Sequence, residues 1–136
     1  MTITVKMLML PHAQDLPFPP EHAGGFDLLA AIPADGPIKL APGQYALIPA
    51  GLVIAMPPGT EAQIRARPGL AARHGVTVLN GLQTFDAGYR GELAVVMINH
   101  GDVPFPVRRG ERIASLVFAP VLAVTTEWPP SLKELQ

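Results

Sequence analysis

Histidine and cysteine, which supply most protein metal ligands and many nucleophiles, offer little chemistry in this chain. Cysteine is absent, so there is no thiolate ligand, no cysteine nucleophile and no disulfide framework. The four histidines are scattered without H-x-x-x-H or H-x-H spacing, at His12, His22, His74 and His100. Zinc sites usually draw ligands from such close spacings, and no Ser/His/Asp order indicates a catalytic triad. The sequence therefore predicts no metal site built from protein side chains.

Charged side chains are balanced and sparse. Lys and Arg together number 10 against 11 Asp and Glu, which gives a formal net charge of −1. A nucleic-acid-binding protein usually carries a basic excess or stripe. The only basic cluster is Arg108, Arg109 and Arg112, which is more typical of a solvated turn. We therefore expect no nucleic-acid partner.

The elements that position any site must be short strands. The chain holds 16 Pro and 13 Gly, distributed throughout rather than gathered in a linker. Proline removes a helical donor and clashes with the preceding turn, which excludes long helices from the first half. Alternation and turn residues predict about ten strands, at 2–10, 26–31, 38–40, 44–49, 52–56, 61–67, 76–79, 93–98, 104–107 and 112–124. We expect a hairpin turn at 99–102 and one helical turn at 69–74. This pattern predicts an all-β fold such as a jelly roll.

Length and composition place the chain among folded proteins. Its 136 residues suit one domain. Hydrophobic residues make up 49% and charged residues 15%, which excludes disorder. Pro and Gly break the apolar stretches well before the roughly 20 residues of a membrane helix, and the start shows no signal-peptide pattern. We expect no membrane partner and a cytoplasmic location.

Four segments, in this order, resemble the motifs of the trimeric dUTP diphosphatase (dUTPase) family. They are A-G-G-F-D-L-L-A at 23–30, R-P-G-L-A at 67–71, N-G-L-Q-T-F-D-A-G-Y-R-G-E at 80–92 and R-G-E-R-I-A-S-L at 109–116. The resemblance covers roughly residues 3–124. It implies a dUTPase-like jelly roll, a barrel of the β-clip type, that forms a homotrimer with active sites between subunits. It also implies cleavage of dUTP to dUMP and pyrophosphate with Mg²⁺ held mainly by the nucleotide.

The third motif supplies the residues that the resemblance assigns to the base, the sugar and the attacking water. Asp86 matches the catalytic carboxylate that deprotonates water as a general base; on the sequence alone, a turn residue is an equal alternative. Asn80 matches the loop that hydrogen-bonds uracil. Tyr89 matches the aromatic that lies under deoxyribose and excludes a 2′-hydroxyl; the less favoured alternative is an ordinary core aromatic.

The other motifs supply the residues that the resemblance assigns to the phosphate chain of the substrate. Arg67 matches a phosphate-contacting arginine, whose planar fork suits phosphate oxygens. Gly69 and Ser115 fall at substrate-contacting positions of the second and fourth motifs. Asp27 matches the first-motif carboxylate, which supports the site from behind.

Several ligand-contacting positions depart from the family pattern. The second-motif serine is Pro68, which offers neither hydroxyl nor N–H. The fourth-motif glutamine is Ser115, which is shorter. In the third motif a glycine is replaced by Gln83 and an aspartate by Gly88. No glycine follows Gly110, so the fifth motif, a Gly-rich arm that closes over the triphosphate, has no counterpart.

We predict that residues 1–124 form a dUTPase-like β domain and that residues 125–136 form a C-terminal segment without the Gly-rich arm. Two hypotheses about function follow from the departures described above. In the first hypothesis the protein hydrolyses dUTP weakly or not at all. In the second it is a non-catalytic trimeric scaffold, natural or engineered, or a regulatory or assembly protein on the same fold. The apolar strand at 113–124 is our candidate for contacts between subunits.

Overall fold

Short strands form nearly all the regular structure. A computed structural model describes all 136 residues. The strands are β1 (Lys6–Met9), β2 (Glu21–His22), β3 (Gly25–Leu29), β4 (Ile38–Leu40), β5 (Tyr45–Pro49), β6 (Leu52–Ala55), β7 (Thr60–Arg65), β8 (Val76–Val78), β9 (Gln83–Asp86), β10 (Ala94–Asn99), β11 (Phe105–Val107) and β12 (Arg112–Pro120). The one α-helix is α1 (Pro68–His74), and 3-10 turns span Pro11–Ala13 and Leu132–Leu135. The predicted all-β class is confirmed, and no helix is long and apolar enough to cross a membrane.

Four antiparallel sheets surround one apolar core. The largest has five strands in the order β2-β3-β12-β7-β9. The others are β5-β10-β8, β1-β6 and β11-β4. Because the sheets remain separate, they do not form a closed barrel within the chain. The core contains 21 buried residues drawn from all four sheets. The only buried polar or charged residues are Asp27, Thr60 and Asn99.

Strand β12 lies at the centre of the five-stranded sheet and organises it. Leu116 on β12 is buried opposite Ile64 on β7, and the neighbouring Ser115 pairs with Arg65 on β7 and Asp27 on β3. Successive side chains of a strand point to opposite faces. The alternation therefore places Asp27, Ser115 and Arg65 in one row across the outer face of the sheet.

A β-bulge interrupts β12 next to this row. The pairing with β3 shifts between Arg112 and Ala114, and both Ile113 and Ala114 are buried in succession. Arg112 and Ser115 are three residues apart, so a regular strand would put them on opposite faces. The extra residue of the bulge reverses the alternation of side chains at this point in β12. Arg112 and Ser115 therefore lie on the same face of the sheet.

Helix α1 follows β7 directly and is delimited by residues with fixed backbone preferences. Pro68 occupies the first helical turn, where its missing N–H costs nothing. Gly75 ends the helix at φ +67°, a left-handed conformation that glycine adopts without steric cost. Arg67 caps the start in an extended conformation. The helical turn predicted at 69–74 is confirmed, one residue longer at its start.

Two sequence predictions are corrected by the strand pairing. The 99–102 turn does not make a hairpin, because β10 pairs with β5 and β8 whereas β11 pairs with β4. The buried Asn99 stabilises this crossing between sheets by donating to the carbonyls of Leu40 and Val103, each at 2.9 Å. In addition, part of the 80–92 segment, where no strand was predicted, forms β9 on the edge of the largest sheet.

The predicted strand at 112–124 ends earlier, at Pro120. The Val121 N–H donates to the Gly59 carbonyl at 2.9 Å, and every residue from 120 onward is exposed. Apolar side chains are prominent in this tail, defined here as residues 121–136: Val121, Leu122, Val124, Trp128, Leu132 and Leu135. The regular structure of this tail is the 3-10 turn at Leu132–Leu135.

Candidate functional site

A buried carboxylate gathers the basic side chains on the outer face of the largest sheet. Asp27 is only 6% exposed. Arg112 donates from Nη1 to its Oδ2 at 3.2 Å, and the Nε of Arg67 lies 3.8 Å from its Oδ1. The Nε2 of His22 lies 3.5 Å from the same Oδ1. We call these four residues, together with Ser115, the Asp27 cluster.

The Asp27 cluster carries more positive than negative charge. Two guanidinium groups face one carboxylate, and the Arg67 and Arg112 side chains remain 32% and 53% exposed. A single carboxylate neutralises only one of the two arginines. The cluster can therefore bind an anion, and planar guanidinium groups are well suited to phosphate oxygens.

Different elements bring these side chains together. Asp27 and Ser115 are paired directly across β3 and β12. The bulge in β12 turns Arg112 toward the same face. Arg67 stands between β7 and α1, where its Nη1 also donates to the Arg112 carbonyl at 3.4 Å. The cluster thus depends on the register of three strands as well as on residue types.

The second-motif residues lie beside Arg67 at the start of α1. Pro68 has no N–H to offer at this point. Gly69 sits beneath the folded-back Arg73 side chain: a Cβ at Gly69 would come within 2.7 Å of the Arg73 Nη2. Glycine at this position therefore permits Arg73 to fold back over the first turn.

The third-motif residues form a separate group around β9. Asp86 is exposed at the end of β9, where its carbonyl accepts the Tyr89 N–H at 3.0 Å in a tight turn. Tyr89 is 40% exposed, so it is not a core aromatic, and its ring lies 4.9 Å from the Phe85 ring. Asn80 is exposed in the turn that joins β8 to β9. This group presents a carboxylate, an aromatic face and an amide to solvent.

The β9 group and the Asp27 cluster do not meet within one chain. Asp86 is paired with Glu61 of β7, whereas Ser115 and Asp27 align with Arg65 of the same strand. Glu61 and Arg65 are separated by about 13 Å along β7, and β9 and β3 lie three strand spacings apart, about 14 Å. The structure therefore brings Asp27, Arg67 and Ser115 together and leaves Asp86 apart.

Two members of the Asp27 cluster were not among the residues selected from the sequence. Arg112 lies within the fourth motif, and its three-residue spacing from Ser115 conceals the shared face because the bulge has no sequence signature. His22 directly precedes the first motif but falls between the strands predicted at 2–10 and 26–31. Its approach to Asp27 depends on the pairing of β2 with β3.

No group of three or more His, Cys, Asp or Glu side chains in the structure is arranged to hold a metal ion. Asp27, the most buried acid, faces the arginines. A divalent cation at this site would therefore need most of its ligands from a bound anion.

Comparison with solved structures supports the fold assignment. The dUTPase of phage phi11 of S. aureus, solved as a variant with a structural Mg(II) ion, superposes with a TM-score of 0.79 at 18% identity, over 96% of this chain and 99% of that one. A Staphylococcus bacteriophage 80alpha dUTPase variant, solved with dUpNHpp, gives a TM-score of 0.80 at 18% identity, over 96% and 98%. At this identity the likeness establishes the fold.

The sequence itself matches the family model described as dUTPase over residues 12–136. This match covers the Asp27 cluster, helix α1, the β9 group and the tail. It agrees with the resemblance of the four ordered motifs and with the superposed structures. The chain belongs to the dUTPase family.

Proposed function

We propose that the protein binds deoxyuridine nucleotides and hydrolyses dUTP slowly to dUMP and pyrophosphate. The excess positive charge of the Asp27 cluster is the observation that carries this proposal. A triphosphate is a polyanion, and the two exposed guanidinium groups offer it paired N–H donors. The family membership adds the reaction to this geometry.

In this proposal each residue has one task. Asp86 accepts a proton from the water that attacks phosphorus, as a general base. Asn80 hydrogen-bonds the uracil edge, and Tyr89 lies against the deoxyribose. Arg67, Gly69 and Ser115 contact the phosphate chain. Asp27 acts as a positioning residue because it orients the Arg67 and Arg112 side chains.

Mg²⁺ is proposed as the cofactor, held mainly by the triphosphate. The phi11 phage dUTPase was solved with a structural Mg(II) ion. The residues of this chain fit a nucleotide-held ion, because Asp27 faces arginines and no acidic cluster competes. When bound, the ion neutralises charge on the phosphate oxygens. The chain's own arginines then orient the phosphates, and Asp86 handles the proton.

We propose that the active unit is a homotrimer, with the site completed between subunits. Two observations support this assembly. The Asp27 cluster and the β9 group are separate in one chain, so a second copy must bring them together. An open apolar groove of about 420 Å³ between the β1 segment and the largest sheet, lined by Val5, Met7, Phe26 and Phe118 among others, leaves apolar surface to be covered. Closed cyclic symmetry is the usual solution for such surface.

The first prediction concerns this assembly. Light scattering should show a trimer at micromolar concentration, because the exposed apolar side chains of the tail and the open groove would otherwise face water. Replacing Leu122, which is 82% exposed, with aspartate should weaken the trimer. The matched control is Val103→Asp, a similarly exposed change outside the tail. A stable monomer of the unmodified chain would contradict the prediction.

The activity is proposed to be low because of Pro68. A serine at this position would offer a hydroxyl and an N–H to the phosphates, and proline offers neither. Loss of one well-placed donor costs on the order of 10²-fold in rate. The same observation keeps a second candidate function, a non-catalytic trimeric scaffold or regulatory protein. We also propose that the β domain spans 1–124 and that residues 125–136 form a C-terminal segment outside it, so that the tail of 121–136 begins within the last residues of the β domain.

The second prediction tests nucleotide recognition. Calorimetric titration should show dUMP binding about tenfold or more tightly than UMP, because Tyr89 leaves no room for a 2′-hydroxyl. Tyr89→Ala should remove most of this difference. Tyr45→Ala, at an exposed tyrosine on β5, serves as the control and should preserve it. Equal affinity for dUMP and UMP, or no binding of either, would overturn the proposed function.

A further inference from the structure

His22 is held in one tautomer by the turn that joins β2 to β3. The Gly24 N–H donates to the His22 Nδ1 at 3.2 Å. In a neutral imidazole one ring nitrogen accepts and the other carries the hydrogen. Because Nδ1 accepts, the hydrogen is placed on Nε2, and the ring presents a neutral N–H donor toward the Asp27 cluster.

This donor has no acceptor at ordinary hydrogen-bond distance. Its two nearest oxygen partners are Asp27 Oδ1 and Ser115 Oγ, each 3.5 Å away. Protein N–H···O hydrogen bonds typically span 2.7–3.2 Å. The His22 side chain is 38% exposed. The Nε2–H is therefore available to a further acceptor arriving from solvent.

The imidazole lies beside Ser115, with its Nε2 3.5 Å from the Oγ. His22 reaches over β3 from β2, and its N–H donor stands next to that Oγ on the outer face of β12. The donor therefore lies on the same face as the Arg67 and Arg112 guanidinium groups that contact Asp27.

We propose that His22 is a phosphate-binding residue, whose Nε2–H donates to an oxygen of the nucleotide's phosphate chain. The inference rests on the proposed function, because it deepens the anion site of the Asp27 cluster. The flanking charges favour a phosphate over a neutral ligand: Arg67 and Arg112 are both exposed and only Asp27 opposes them. Phosphate oxygens only accept hydrogen bonds, which matches a fixed donor.

The third prediction concerns the affinity of the protein for two ligands. Inorganic triphosphate probes the anion site without the base, and the α,β-imido analogue of dUTP probes the whole site without hydrolysis. Titration of the assembled protein should show that His22→Ala weakens both ligands about tenfold or more, as expected for a hydrogen bond to a charged group. His100→Ala, at another exposed histidine, is the control and should change neither affinity.

A pair of further variants separates hydrogen bonding from shape and from folding. His22→Gln keeps an N–H donor and should retain most of the affinity. His22→Phe keeps a ring but has no donor and should match His22→Ala. This pair decides the question even if His22→Ala fails to fold. Equal affinities for the glutamine and phenylalanine variants would overturn the inference.

Failure of the inference is distinguishable from failure of the proposed function. Unchanged binding of both ligands by His22→Ala would overturn the role of His22 and leave the proposed function intact. If inorganic triphosphate binds in a His22-dependent way but the dUTP analogue binds no better than its uridine counterpart, the proposed function fails and the inference stands. If the unmodified protein binds neither ligand, both are overturned.

Discussion

Replacing Pro68 with serine should raise the rate of dUTP hydrolysis by on the order of 10²-fold. The change adds a hydroxyl and a backbone N–H beside Arg67, at the first residue of α1. The first N–H groups of a helix have no partner within it, so the new donor is free to bind phosphate. If His22 binds phosphate as proposed, it supplies a donor beside Ser115, and no matching change at Ser115 is needed.

Two further variants make this result specific. Pro68→Ala restores the N–H without the hydroxyl and should give a smaller gain than Pro68→Ser. Pro104→Ser, at an exposed proline before β11, should give none. The measurement is release of dUMP and pyrophosphate at saturating dUTP with Mg²⁺. An unmodified chain that already turns over roughly 1–10 times per second would show that the site is not weakened.

Asp86→Asn, introduced together with Pro68→Ser, should lower kcat by about 10²- to 10⁴-fold. Asparagine keeps nearly the same size as aspartate but cannot accept a proton from water. Asp86 is exposed at the end of β9, so the exchange leaves the core unchanged. The affinity for the α,β-imido analogue of dUTP should remain within a few-fold, because the lost task is proton transfer rather than binding.

The control for Asp86→Asn is Asp35→Asn, at an exposed aspartate in the turn before β4. This change should leave kcat unaltered in the same Pro68→Ser background. If Asp86→Asn retains full activity, the general base is another group. If Pro68→Ser itself shows no dUTP hydrolysis while binding the analogue well, the non-catalytic scaffold becomes the better account.

The fold class could be read from local chemistry. Proline removes helical donors and glycine permits tight turns, so their even distribution excluded long helices whatever the partners of each strand. The strands at 38–40, 45–49 and 52–55 were located closely because each is flanked by its own turn residues. Strand pairing, in contrast, depends on residues that are distant from one another in the sequence. The chain does bend after Asn99, but β11 pairs with β4, whose residues lie 65 to 69 positions earlier in the chain. No local pattern encodes that choice.

For the candidate site, too, the sequence identified residues but did not show how they are grouped in space. The four ordered motifs identified Asp27, Arg67, Asp86 and Tyr89 as residues of interest, because each stands in a short recognisable segment. Their grouping did not follow from the motifs. Asp27 and Arg67 meet on one face, and Asp86 lies apart on the edge strand β9. The strand order of the largest sheet and the register along β7 together separate these two groups.

The sequence by itself determined the all-β class, the family and the identity of most candidate residues, because these depend on residue types and short spacings. Tertiary structure alone decided which residues share the Asp27 cluster. The β12 bulge turned Arg112 toward Asp27, and the pairing of β2 with β3 carried His22 over Ser115. The physical reason is that a shift of one residue in strand register moves a side chain to the opposite face. Register is set by contacts between distant segments, which no local spacing records.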